Sequence, residues 1–258
     1  KIKFLVSQVD LDDPADIWTI DGSLNTLSDR PGMDSQKTNS YGIKVFHSFD
    51  GFEFQSFTSS TDTDVVFSYD ADWGNTDSHF PYVYDYFSET LRDRRSFNQE
   101  FRIVSDPADF LQDSFIEWVV GANYLELKES NFKKDDGLYG DPTDPFGPYA
   151  SASSSFSQYK SSNISVFGNL DYLLSASLKF SIGLRVEDWE ANYSDSLKES
   201  FNPSDMMSGG KISLIKIMTN DTNMYASLAK GYKQGGFNLG LGLDANLTNK
   251  NLAYDPEF

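Results

Sequence analysis

The chain has 258 residues, with 21 Lys and Arg against 39 Asp and Glu, for a formal charge of −18. That acid excess argues against a nucleic-acid binder, whose affinity rests on neutralising phosphates, and 39% apolar with 15% aromatic residues argue against disorder. Zero cysteines and two histidines, His47 and His79, remove disulfide scaffolds, thiolate metal sites and an HExxH zinc motif. No run approaches the roughly 18 apolar residues of a membrane helix, and Lys1-Ile2-Lys3-Phe4-Leu5-Val6 is followed by no signal-peptide cleavage pattern. The mean hydropathy of −0.46 leaves the membrane question open. A transmembrane β-barrel alternates lipid-facing and water-facing side chains, so it averages like a soluble protein.

In chain order, period-two alternation starts with Ile2, Phe4 and Val6. A long polar stretch over 10–38 leads to Tyr41, Ile43 and Val45, and the Asp50-Gly51 turn, a favoured hairpin pair, joins this strand to 52–60. A long connection over 61–95 precedes a strand at 96–105, and the short Asp106-Pro107 connection leads to Trp118, Val120, Ala122 and Tyr124. Residues 130–160 read as a third long connection, the Ser-rich part from 150 being a solvated approach to a strand at 161–173. Leu174 to Ala176 form a short link to the clearest alternation: Leu178, Phe180, Ile182, Leu184 and Val186 on one face, Lys179, Ser181, Gly183, Arg185 and Glu187 on the other. A connection over 194–207, a strand at 208–219, the short Asn220-Asp221 link and a strand at 223–235 complete the pattern. About nine strands of the length a tilted strand needs to cross a bilayer are expected, with long and short connections alternating as in outer-membrane barrels. The acidic residues fall mostly in the long connections, Asp10 to Asp34 and Asp62 to Asp93 among them.

Several segments carry a family resemblance. Phe97 to Ile103 followed by Phe115 to Tyr124, then Ile164 to Tyr172 followed by Leu178 to Val186, resemble consecutive barrel hairpins of TonB-dependent outer-membrane receptors. Met224-Tyr225-Ala226-Ser227-Leu228-Ala229-Lys230-Gly231-Tyr232-Lys233-Gln234-Gly235-Gly236-Phe237-Asn238 is similar to the family's most recognisable strand and following loop, and Tyr254-Asp255-Pro256-Glu257 to the acidic motif before a further strand. The resemblance covers roughly residues 95–258; the first third matches in style only. It implies an all-β, antiparallel up-and-down transmembrane β-barrel with long outer loops, of about 22 strands, plugged by an N-terminal domain. With no plug before residue 1 and a stop inside the last motif, the expectation is a barrel fragment spanning 1–258. Phe258 resembles a terminal barrel aromatic, but Pro256 spoils a final strand. The implied function is active import of a scarce small-molecule ligand, an iron chelate, vitamin or oligosaccharide. The implied partners are outer-membrane lipid and lipopolysaccharide, and the TonB complex through the missing plug, in a Gram-negative outer membrane.

Other readings of single features are weaker. Gly231, Gly235 and Gly236 beside Lys230 and Lys233 do not have P-loop spacing. Asp70, Asp72, Asn75 and Asp77 offer oxygens to a hard cation, but Gly74 stands where an EF-hand needs a ligand and no glutamate closes the loop. A solvated acidic loop is expected instead. Glu187 and Asp188 point to opposite faces of a strand, so they cannot flank one bond. No catalytic, cofactor-binding or metal-ligating residue is assigned, and no cofactor is expected. Lys179, Arg185 and Glu187 are the candidate lumen-facing residues, opposite the Leu178 to Val186 stripe; Trp18, Trp73, Tyr82 and Tyr84 are the candidate ligand-contacting aromatics of the loops. A passive porin or surface adhesin shares the barrel physics, and a secreted soluble β-sandwich binding module is the remaining alternative.

Overall fold

The computed structural model describes residues 1–15, 25–106, 115–196, 200–219, 221–237 and 253–257. Its strands are β1 (Ile2–Pro14), β2 (Met33–Phe49), β3 (Phe52–Asp70), β4 (Val83–Ser105), β5 (Ile116–Gly140), β6 (Tyr149–Ser175), β7 (Leu178–Asp195), β8 (Ser200–Phe201), β9 (Ser204–Thr219), β10 (Thr222–Lys230), β11 (Gly236–Phe237) and β12 (Ala253–Tyr254). The long strands lie side by side in chain order in one antiparallel sheet, from β1 to β10, with short β8 paired to the end of β7; β11 and β12 form a separate two-stranded ladder. This is the up-and-down meander expected of a partial barrel.

Register explains why these sequences choose it. Leu184 stands beside Gly168 of β6 and Gly210 of β9, Val186 beside Val166, and Val166 beside Ala122 of β5, which faces Phe101 of β4. The stripe on β7 therefore runs on as Ile164, Val166, Leu170 and Tyr172 of β6, Val120 of β5, Phe101 and Ile103 of β4, and Ile212 and Leu214 of β9. All of these side chains are exposed, Leu184 and Val166 at 63% each. A contiguous exposed apolar face of this extent marks a surface covered by something apolar. A one-residue slip would move the whole stripe to the opposite face, so each pair's register is held by its neighbours.

The strands are longer than the sequence predicts, and the connections correspondingly shorter. Most of the expected long connections are strand: 61–70 belongs to β3, 83–95 to β4, 130–140 to β5 and 149–160 to β6. The Ser-rich stretch is thus part of a strand, paired in full with β5. Ser, Asp and Lys on both faces erase period-two hydropathy, because both faces of these upper halves are largely polar and pairing with the neighbouring strand, not an apolar face, holds them. The Asp50-Gly51 turn is as expected: Gly51 has φ 82°, a conformation glycine adopts without cost, and Phe49 stacks on Phe52 at 4.8 Å across it. At the other end, β10 stops at Lys230, so the predicted strand at 223–235 is too long. Residues 231–237 instead leave the sheet and lie back over its polar face. A Cβ on Gly235 or Gly236 would stand 2.7 Å from the Tyr254 carbonyl or 2.5 Å from its hydroxyl oxygen, so β12 can approach only glycines there.

Beneath this segment sits the buried cluster of Trp189, Ala191 and Met207, with Tyr159, Tyr232 and Phe237 packed against it. The Phe237 ring lies 5.3 Å from Tyr193, 5.5 Å from Phe201 and 5.9 Å from Tyr159.

Candidate functional site

Glu187 is the hub of the polar face. It is 4% exposed, and its carboxylate accepts from Asn163 Nδ2 at 2.6 Å, Gln234 Nε2 at 2.6 Å, Tyr232 Oη at 3.1 Å and Arg185 Nη2 at 2.7 Å. Arg185 Nε also donates to the Tyr232 hydroxyl at 3.0 Å. Asn163 and Arg185 come from neighbouring strands, whereas Tyr232 and Gln234 come from the segment that folds back. A buried carboxylate is tolerable only when its oxygens are fully paired, and here the pairing doubles as a latch for that segment. Beside it, Asn163 Oδ1, Ser165 Oγ and Trp189 Nε1 are buried with no partner among the described residues. Ser165 faces Glu187 and Asn163 faces Trp189 across the ladder, a compact polar site of the kind that holds ordered water.

The same face continues across the sheet. The Arg185 and Arg102 guanidiniums both lie over the Phe167 ring, each 5.8 Å from its centroid, and Gly121 makes room for it: a Cβ there would come within 2.5 Å of that ring. Lys179 Nζ pairs with Asp171 at 2.6 Å and reaches Glu117 at 3.9 Å. Arg94 binds Glu129 at 2.5 Å, with Arg92 3.6 Å from the same carboxylate. Lys179, Arg185 and Glu187 thus share the face opposite the apolar stripe, Arg185 and Glu187 in direct contact and Lys179 in a separate ion pair. The sequence gives no sign of Asn163, Tyr232 or Gln234 as partners. Only the odd-numbered run of Trp189, Ala191 and Tyr193 on that face hints that something covers it.

The aromatic candidates separate. Trp18 lies outside the described residues. Trp73, at φ 57°, and Tyr82 sit in the connection between β3 and β4, and both are exposed. Tyr84 is in β4 rather than a loop, on the polar face at the far end of the sheet. Its ring lies 4.6 Å from Tyr86, 5.1 Å from His79 and 6.5 Å from Tyr139. Tyr86 and Tyr139 extend the candidate set into an aromatic group at this end of the sheet, suited to stacking on a planar or cationic ligand.

Asp70 and Asp72 are not solvated as the sequence reading expects: they are 5% and 6% exposed. Residues 25–32 cover them, with Ser28 Oγ donating to Asp70 Oδ2 at 2.5 Å and Asp29 N to the Gly74 carbonyl at 3.0 Å. Arg30 reaches across to Asp85 at 3.2 Å and Asp136 at 2.9 Å. Burial, and then the side-chain hydrogen bond with Asp70, push the Asp72 carboxyl up from 3.8 to about 7. Burial also opposes charge on Asp70, but bonds from Asp72 and Ser28 bring it below its ordinary value, so the pair holds one proton between them. A raised carboxyl stabilises the fold fully below its ordinary value, and that stabilisation is lost as pH rises through about 7. Amide exchange in residues 25–32 and 71–82, corrected for intrinsic rates, should be slower at pH 5.5 than at pH 8, and Asp72→Asn should abolish the difference. Equal pH dependence in that variant would refute the shared proton.

The sequence over residues 5–258 matches the family described as TonB dependent receptor-like, beta-barrel. No curated protein matches the chain. Among solved structures, the siderophore receptor PiuA from Acinetobacter baumannii is similar over 99% of this chain and 43% of its own, at TM-score 0.62 and 14% identity. The ferric yersiniabactin uptake receptor FyuA from Yersinia pestis is similar over 82% of this chain and 31% of its own, at TM-score 0.58 and 17% identity. The ferric citrate transporter FecA, unliganded, follows at 92% and 33%, TM-score 0.56 and 14% identity. The chain therefore spans about a third to two fifths of the length of these receptors. With the nine-strand meander, the apolar face and the match over nearly every residue, the chain belongs to the TonB-dependent receptor family, in its β-barrel domain.

Proposed function

We propose that residues 1–258 form one sector of the closed barrel of an outer-membrane active-transport receptor in a Gram-negative bacterium. In this reading the apolar face meets lipid and the polar face lines the lumen. The observation that carries it is the division between the two faces. One bears a broad exposed apolar band; the other bears Lys179, Arg185 and Glu187 in ion pairs and a folded-back segment. Lumen-facing Arg102 and Arg185, and the rim aromatics Trp73, Tyr82 and Tyr84, with Trp18 as a further loop candidate, would meet the ligand on its way in. The ligand class favoured is an iron chelate, since the similar structures include receptors named for ferric yersiniabactin, siderophores and ferric citrate. Chelates of this kind carry carboxylates or catechol rings that guanidinium and aromatic groups bind. Energy would come from TonB through a plug domain, with no chemistry on the ligand.

Two measurements test this in the full-length receptor. Spin labels at 182 and 185 should differ in lipid accessibility, the first high and the second low; equal values would sink the assignment of faces. Growth on ferric chelates under iron restriction should require both the receptor and TonB, and TonB-independent uptake would point to a passive pore.

A further inference from the structure

Trp73, one of the exposed aromatics of the rim, is pinned through its backbone on both sides. Before it, Ala71 N donates to the Tyr86 carbonyl at 2.8 Å and Asp72 N to Asp70 Oδ1 at 3.3 Å. After it, Gly74 N donates to Asp72 Oδ1 at 3.2 Å, and the Gly74 carbonyl accepts from Asp29 N at 3.0 Å. The strap over 25–32 that supplies Asp29 also reaches Asp70 through Ser28 and is fixed at its end by Met33 N on Ser68 Oγ at 3.0 Å. Between these anchors Trp73 has φ 57°, a left-handed conformation that strains a bulky residue and persists only where its surroundings impose it. The surroundings that impose it are the two buried carboxylates. Neither has an ion-pair partner among the described residues. Arg30, the only Lys or Arg of the strap, is bound to Asp85 of β4 and Asp136 of β5 and lies 4.5 Å from the Phe87 ring centroid. The other titratable groups around the pair are Asp29 of the strap and Asp77 and His79 of the connection between β3 and β4. Two buried carboxylates in contact without a cation cannot both ionise, so the closed clasp contains a proton.

We propose that the clasp is a proton-operated switch for Trp73. With the shared proton bound, residues 25–32 stay closed over Asp70 and Asp72 and the indole is fixed in one place at the rim. With the proton lost, two carboxylates repel beneath the strap, the strap lifts, and the backbone at Trp73 relaxes out of the left-handed region. The sign follows from the Asp72 carboxyl, which burial and the bond with Asp70 push up to about 7: closed below, open above. The strain at Trp73 acts as the spring, because it favours opening as soon as the anchors weaken. Under the import reading, in which Trp73 meets the ligand, capture is tied to external pH; the switch itself requires only Asp70, Asp72 and the strap.

The test is fluorine NMR of the full-length receptor carrying fluorotryptophan, the resonance of residue 73 being assigned by its loss in Trp73→Phe. In wild type that resonance should shift between pH 5.5 and 8.5 in one transition centred near 7. Asp72→Asn should hold it at its acid position throughout, whereas His79→Gln should keep the transition. Trp73→Gly, which adopts a positive φ without strain, should raise the pH at which amides of residues 25–32 begin to exchange by about one unit. A resonance that does not move in wild type, a transition that survives in Asp72→Asn or vanishes in His79→Gln, or an unmoved opening pH in Trp73→Gly overturns the proposal. None of these readouts involves ligand or TonB, so the import reading stands or falls separately, on growth with ferric chelates.

Discussion

Replacing Glu187 with alanine in the full-length receptor is expected to free residues 231–237 from the polar face and to cost about 2–3 kcal/mol, the loss of charge-assisted hydrogen bonds, since the Arg185 left behind is 38% exposed. Arg185, Asn163, Tyr232 and Gln234 would all lose their acceptor at once. The effect should concentrate in the segment: amide exchange at Tyr232 to Phe237 should accelerate by orders of magnitude, while exchange in β4 and β5 stays near wild type. Glu187→Gln keeps an oxygen acceptor but discards the charge, so an intermediate result is expected. Wild-type exchange at 232–237 in the alanine variant would show that the aromatic packing of Phe237 alone holds the segment. If the segment lies in the transport path, the alanine variant should also alter chelate uptake at unchanged receptor abundance.

A second large effect is expected from charge on the apolar face. Leu184→Arg places a cation in the middle of the band, for which about 2–4 kcal/mol is the usual cost near the bilayer midplane. Ser213→Arg lies on the other face, opposite Ser181 of β7, and should cost little. Folding of each full-length variant into lipid vesicles, followed by heat-modifiable mobility and urea titration, distinguishes them. Equal destabilisation by the two arginines would remove the case for a lipid-facing side. The contrast is sharper than any change in Lys179 or Arg185, because those side chains already carry charge and have partners.

The fold was legible wherever one face of a strand is apolar. The stripe from Leu178 to Val186 needs no neighbour to be recognised, and the Asp50-Gly51 turn sets the register of β2 on β3 by itself. Legibility failed in the upper halves of β4, β5 and β6. There Lys133, Lys134, Asp135 and Asp136 follow one another and Ser151 to Ser155 carry no alternation, so nothing in the local sequence distinguishes a strand from a loop. Only the paired neighbour supplies that information. The candidate site divides in the same way. Arg185 and Glu187 are visible as the polar side of a strand, but their partners Tyr232 and Gln234 lie more than forty residues away in what reads as the tail of a strand. Asp70 and Asp72 misled for the opposite reason: acidic density suggests solvent, whereas residues 25–32 fold over them and bury both.

The meander in which every long strand pairs with its chain neighbour has a kinetic consequence. Each hairpin can close on its own with a short entropic loop, so assembly advances by adding one strand at a time rather than by a single distant search. Until its next partner arrives, each growing sheet presents an unpaired backbone edge, the feature that templates adventitious pairing. An intermediate stalled between two strands would be captured at that edge, by a chaperone or by another copy of itself.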